Sequence, residues 1–186
     1  MPRRVSAEES MERVRSALAD LPSEIGSDFG NVVLTVRPEN LVETVRILRD
    51  QEDLRFHFFT FLSGVDRSAV EKSDDETDEG VHRGLEVLIH LYSPEHVMHV
   101  TIHVPLPLEG AVCPSITDVF AGALWHERET WEMFGITFNG HPRLVNLYLP
   151  EDFEGNPLLK SFKLPSRVIK PWPGAKDPEE AAAGGR

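Results

Sequence analysis

The chain has 186 residues, 40% of them hydrophobic, and carries a formal charge of −12. That length supports one folded body with an appendage, and the acidity excludes a nucleic-acid binder, which draws its affinity from Lys and Arg set against phosphates. Cys113 is the sole cysteine, which excludes an internal disulfide and any cysteine-rich zinc or iron–sulfur site within the chain.

The amino terminus, MPRRVSAEES, leads into polar sequence, and no long apolar run occurs anywhere, so the expectation is a cytosolic chain that does not itself span a membrane. Ser6 and Glu9 then stand at capping-box spacing, and Met11, Val14, Leu18 and Leu21 share one helical face, which predicts a first amphipathic helix. GNVVLTVRP alternates Val32, Leu34 and Val36 with other residues and is stopped by Pro38, a strand pattern. PENLVETVRILRDQ returns to helical period through Leu41, Val45 and Leu48. RFHFFTFLSGVD is apolar on both sides, which predicts a central strand covered on both faces.

Between Glu71 and Glu79 the chain carries six acids and one lysine, the composition of a solvated hairpin loop, with an acidic docking patch as the sharper reading. GLEVLIHLY and VMHVTIHVPL then alternate cleanly, with Leu85, Val87, Ile89 and Leu91 on one side of the first and Met98, Val100, Ile102 and Val104 on one side of the second. Joined by SPEH, they form a hairpin. His96, His99 and His103 invite a metal reading, but strand period leaves His99 and His103 on the open face, where a polar contact is the simpler account. Cys113, in GAVCPSITD, reads as a buried or incidental thiol rather than a nucleophile. A helical region is expected from Ser115, capped with Asp118 and ended by Gly135. The pattern of helix, strand, helix and three strands predicts an α/β (α+β) fold, a mixed sheet with helices packed on one face.

Within the last helix lies the most unusual stretch, WHERETWEMFGITFNGHP. Phe120, Leu124, Glu127, Trp131 and Phe134 fall on one stripe, so Glu127 is a carboxylate inside an apolar face and needs an arginine, a lysine or a backbone donor. Arg128 and Glu132 stand four apart on another face, and Trp125 and Glu129 on a third. Two readings stay open: a surface helix with one snorkelling glutamate, or a helix enclosed by its own domain and by an arm or a partner. Glu127 and Glu129, two residues apart, project differently and make no glycosidase-type pair. Phosphate-loop and nucleophile-elbow motifs are both lacking.

From His141 onward seven of the 14 prolines occur, so this portion runs extended, yet it keeps apolar residues from Leu144 to Trp172 that require a surface to lie on. The division expected is an α/β domain over residues 1–140, an extended proline-rich docking arm over 141–174 and a disordered tail over 175–186.

ERETWEMFGITFNGH, Glu127 to His141, resembles the signature of the C subunit, or 30-kilodalton subunit family, of the proton-pumping NADH–quinone oxidoreductase known as respiratory complex I. Trp125, the following HP and LPEDFEGNPL fit the same pattern, strongly from Ser115 to Lys176 and loosely across the domain, and the closing SRVIKPWPGAK looks like the arms of actinobacterial members. The chain departs from the pattern at Val145, Leu159 and Ser161. The resemblance implies a structural subunit without catalytic, cofactor or metal residues, bracing the peripheral arm beside the D subunit of the quinone site and the cluster-bearing B and I subunits. Flavin and iron–sulfur clusters then sit on partner subunits, and the chain lies peripherally on the cytoplasmic side of the cell membrane, held there only through the complex. Trp125, Glu127, Arg128, Glu129, Glu132, Phe134, Gly135, His141, Pro142 and Lys160 are its expected structural and interface residues. The rivals are the equivalent subunit of a related membrane-bound hydrogenase or of a ferredoxin- or F420-dependent dehydrogenase, and a free-standing small enzyme using His126, Glu129 and His141.

Overall fold

A computed structural model describes residues 5–69 and 82–164. Helix α1 (Ala7–Ala17) starts where Ser6 accepts a hydrogen bond from the Glu9 N–H at 3.2 Å, which satisfies one of the donors a helix start leaves open. Its Val14, and Leu18 just beyond it, are buried. A hairpin follows, β1 (Ser23–Asp28) and β2 (Asn31–Val36), whose two-residue turn places Phe29 and Gly30 at positive φ, 49° and 78°. Strand β1 goes unseen in the sequence pattern because Ile25 is its one large apolar residue; pairing with β2 makes it a strand, not its own composition.

A 3-10 turn at Pro38–Asn40 leads into α2 (Leu41–Asp50), which buries Leu41, Val45 and Leu48. Strands β3 (Phe58–Asp66), β4 (Leu85–Ser93) and β5 (Met98–Leu106) complete a five-stranded sheet of order β1-β2-β5-β4-β3, antiparallel except where β2 meets β5 in parallel. Val32, Leu34, Val87, Ile89, Val100 and Ile102 line its inner face and form one core with the apolar sides of the helices. The helices therefore all pack on that face, as the alternation predicted.

Strand β3 lies at the sheet edge, not at its centre. Its two-sided apolar pattern has another cause. A register shift between Phe59 and Phe61 turns Phe59 inward against Phe120, while Phe58 and Phe61 stay exposed on the outer face. The acidic segment that joins β3 to β4 lies outside the described residues.

Past β5 the chain makes a short parallel pair, β6 (Val112–Pro114) with β7 (Thr137–Asn139), too brief for periodicity to reveal. Helix α3 spans Ala123–Phe134 between them. It begins eight residues after the expected start at Ser115, because the Ser115 hydroxyl accepts from the Thr117 N–H in a local turn rather than capping a helix with Asp118. It stops as expected, at Gly135 in the left-handed region with φ 74°.

Gly64 of β3 is where α3 comes closest to the sheet. A Cβ added there would stand 2.5 Å from a ring carbon of Phe134. Gly64→Ala is expected to cost about 1–3 kcal/mol of stability, read as a lowered urea midpoint, and Phe134→Leu in the same chain should recover part of the loss. An unchanged midpoint for Gly64→Ala would show the α3–β3 contact to be looser than its geometry.

Candidate functional site

The functional region is built around α3, and two of its carboxylates define it. Glu127 has 0% exposure and accepts the Ile116 N–H on Oε1 at 2.8 Å, while Oε2 has no hydrogen-bond partner among the described residues. Burial pushes its pKa above the ordinary value; the Ser115 hydroxyl, the Ile116 N–H and the charge of His141 act in the opposite sense without overcoming it. The enclosed-helix reading of the sequence is the one the geometry supports, and the donor is backbone rather than a cation. Cys113 is also fully buried, and burial together with the Glu127 carboxylate pushes its thiol up, far from nucleophilic reactivity.

Glu132 is buried too, on the face toward the chain that follows. It accepts three consecutive backbone N–H groups, from Leu147 at 3.2 Å, Tyr148 at 3.0 Å and Leu149 at 2.7 Å. Arg128, one turn earlier, donates to the Val145 carbonyl at 2.8 Å and to that of Asn146. The i, i+4 pair anticipated from sequence spacing is not an ion pair. Its two charges clamp the same strap, residues 145–149, which bends at 147–149 instead of running extended as expected, because successive N–H groups can meet one carboxylate only in a turning backbone; the guanidinium takes carbonyls and the carboxylate takes amides.

The clamp continues past the helix end. Asn156 Nδ2 donates to the Glu132 carbonyl at 2.9 Å and the Leu158 N–H to that of Met133 at 3.1 Å, so the strap supplies partners for last-turn carbonyls that a helix leaves open. Gly135 is required twice, for its positive φ and because a Cβ there would come within 2.8 Å of Asn156 Oδ1. Farther on, the Lys160 N–H donates at 2.8 Å to Asp66 at the end of β3; the backbone of Lys160 makes this contact and its side chain is exposed. Burial acts to raise the Asp66 pKa, but the hydrogen bonds from Ser68 and Lys160 outweigh it and hold the carboxyl below its ordinary value.

The remaining expected residues divide. His141 donates from Nε2 to the Leu124 carbonyl at 3.0 Å while Nδ1 accepts the Arg143 N–H, also at 3.0 Å, and Phe134 seals the Gly64 contact. Trp125 is 67% exposed and Pro142 is exposed, both turned away from the core. Glu129 is half-buried and makes no hydrogen bond or ion pair among the described residues. His126 Nδ1 lies 3.1 Å from the Leu62 carbonyl on the edge strand. Of the trio His126, Glu129 and His141, both histidines bond to backbone groups. Asp66, Asn146 and Asn156 were missed. Their partners lie far along the chain, and a polar residue at the end of a strand or in a proline-rich stretch carries no spacing signal.

A family model described as "Respiratory-chain NADH dehydrogenase, 30 Kd subunit" matches residues 34–168. The chain is 38% identical over 159 residues to the C subunit of NADH-quinone oxidoreductase from Roseiflexus sp. (strain RS-1), across 86% of this chain and 85% of that one. It is 31% identical over 170 residues to the C subunit from Salinispora tropica, across 91% of this chain and 65% of that one. Among solved structures, a trypsin-resistant fragment of Nqo5 superposes with a TM-score of 0.57 at 25% identity, covering 73% of this chain and 99% of the fragment. A chain of the membrane-bound sulfane sulfur reductase, an archaeal respiratory membrane complex, superposes with a TM-score of 0.59 at 20% identity over 76% of each chain, which establishes the shared fold alone.

Two outcomes test the α3 geometry. Because Glu127 holds its proton above its ordinary value of 4.5, the folded chain keeps a proton that the unfolded chain has released, so stability should fall as pH rises from 4.5 through the folded value. Glu127→Gln should flatten that slope with the fold intact, whereas Glu127→Ala should lose about 2–4 kcal/mol by orphaning the Ile116 N–H and opening a cavity; a slope unaltered by Glu127→Gln would mean that Glu127 is ionised in the fold. For the strap, Glu132→Ala should speed amide hydrogen exchange at Leu147 to Leu149 by about tenfold or more. Equal exchange rates would show that the carboxylate does not hold it.

Proposed function

The chain belongs to the 30 Kd subunit family of respiratory-chain NADH dehydrogenases, and on that premise we propose that it braces the peripheral arm of the complex without performing chemistry of its own. As a member it is a subunit of NADH-quinone oxidoreductase, a membrane-bound respiratory complex, and no helix among the described residues is long and apolar enough to cross a membrane. The bracing role assigns it the D, B and I subunits as neighbours, the cytoplasmic side of the membrane as its place, and partner chains as the holders of flavin and clusters.

One observation carries this reading. A proline-rich strap, held by α3 through the backbone of residues 145–149 and 158, presents Val145, Tyr148, Phe153, Leu158 and Leu164 to the outside as exposed large apolar side chains. In a chain acting alone such exposure is a liability; in an assembly it is a prepared contact, positioned before the partner arrives. Arg128 and Glu132 of the signature helix support it, because both charges are committed to the strap. A single buried cysteine in the chain points the same way. The fold is also found in the sulfane sulfur reductase, so fold does not choose between related complexes; the family model and the relatives named as C subunits favour NADH-quinone oxidoreductase.

Truncation after Pro150 should leave the α/β body melting cooperatively while co-purification with the D, B and I subunits is lost. Assembly at normal yield, or collapse of the body, would contradict the bracing strap. The purified full chain should be colourless, free of stoichiometric iron, zinc and flavin, and without NADH oxidation activity. Retention of any of these groups through purification would contradict the non-catalytic role.

A further inference from the structure

A brace needs two surfaces, and the strap is one. We propose that the face of the sheet left open by the described residues is the second, docking a partner subunit of the same complex that presents a flat aliphatic surface with basic residues toward strand β1. This rests on the bracing role above.

The helices cover one face of the sheet only. On the other, β3, β4 and β5 turn rings and aliphatic chains outward and β2 adds Val33, set among Thr35, Thr101 and His103. Phe61 stacks on His90 with centroids 5.7 Å apart, His90 on His99 at 5.3 Å and His99 on Tyr92 at 4.4 Å, and Phe58 meets Tyr92 edge-on at 6.5 Å. Phe58 and Phe61 end this ladder and are 56% and 37% exposed. Burial first, and His99 second, hold the His90 pKa below its ordinary value, so the centre of the ladder stays neutral. Leu88, Val65 and Pro105 extend the half-buried apolar area beside it.

The buried carboxylate of this face is already neutralised. Glu86 is buried and bonded to both Arg67 and His103; burial works to raise its pKa, but those two bonds prevail and keep it ionised. A partner settling over the ladder meets Glu86 already paired, and the stacked rings have little rotameric freedom left to lose. Exposed acids mark one rim, Glu24 and Asp28 on β1.

Size and charge select the occupant. Four strands about 4.8 Å apart and up to nine residues long make a face of roughly 500 Å², far more than a small ligand covers and comparable to one side of a protein interface, about 800 Å². A second copy of this chain would bring its own acidic rim and a charge of −12 against the same sign. A basic-rimmed partner has no such repulsion.

The test is made in the assembled complex. A photo-reactive phenylalanine analogue at position 61 should cross-link the chain to another subunit at an apolar stretch, and one at Glu24, on the opposite edge strand, at a stretch carrying Lys or Arg. Cross-links to residues 70–81 or 165–186 of the same chain, to a second copy, or to nothing in complexes that contain the chain would overturn the proposal. In parallel, Phe61→Glu in the full chain should leave its circular dichroism unchanged and cut recovered complex about tenfold, the loss of one aromatic contact, while Phe61→Leu stays near normal. Normal recovery with Phe61→Glu also overturns it. The two readings fail separately: loss on truncation after Pro150 with no effect of Phe61→Glu removes the sheet face alone, whereas a wild-type chain that co-purifies with no other subunit removes the bracing role itself.

Discussion

Backbone hydrogen-bonding groups taken out of water must find partners, and the carboxyl-terminal half of this chain is organised around that requirement. Where it runs through proline-bounded segments it has neither helix nor sheet to pair with, so α3 supplies the partners from its side chains. Glu127 takes the Ile116 N–H on the approach to the helix, Glu132 takes three successive N–H groups beyond it, and Arg128 takes the carbonyls between. Charged residues that look like a catalytic or ion-pairing set are, in this fold, backbone acceptors and donors. The strap in turn gives Asn156 and Leu158 to the end of α3, so each element completes the other.

This has an energetic consequence for where the chain is rigid. The body holds a continuous core from α1 to β7, and its stability comes mainly from burial. The strap contributes hydrogen bonds, and among the described residues Leu159 is its side chain packed against that core. Segments secured in this way open more readily than core strands, and such segments gain most from a partner that covers them. A surface held in place yet incompletely buried suits a subunit whose role is contact. The same logic extends to the outer sheet face, where stacked rings are ordered without being covered.

Glu127 and Glu86 show how position in the fold sets the chemistry of one residue type. Both are buried glutamates. Glu86 has a guanidinium and an imidazole against it and is held ionised; Glu127 has one amide and an unpartnered oxygen and is pushed toward its neutral form. The difference lies in neighbours from distant parts of the chain: Arg67 and His103 for one, the turn at Ser115 and Ile116 for the other.

The sequence by itself determined the local elements. The Ser6 cap, the faces of α1 and α2, the clean alternation of β4 and β5 and the stop at Gly135 are all decided by interactions within a few residues, and the motif from Glu127 to His141 was specific enough to indicate the family. It also set Glu127 on an apolar stripe, which left a snorkelling and an enclosed glutamate as the two open readings. What it did not determine were the quantities set between distant segments: that β3 lies at the edge rather than the centre, that Ser23–Asp28 becomes a strand by pairing with β2, that α3 begins at Ala123, and that Arg128 and Glu132 reach past each other to the strap. Periodicity reports which faces of a segment are apolar but not what covers them, and spacing reports which side chains are near but not which backbone groups elsewhere lack a partner. Only the tertiary structure brings those groups together, since satisfying buried donors and acceptors is a condition on the whole fold rather than on any stretch of it.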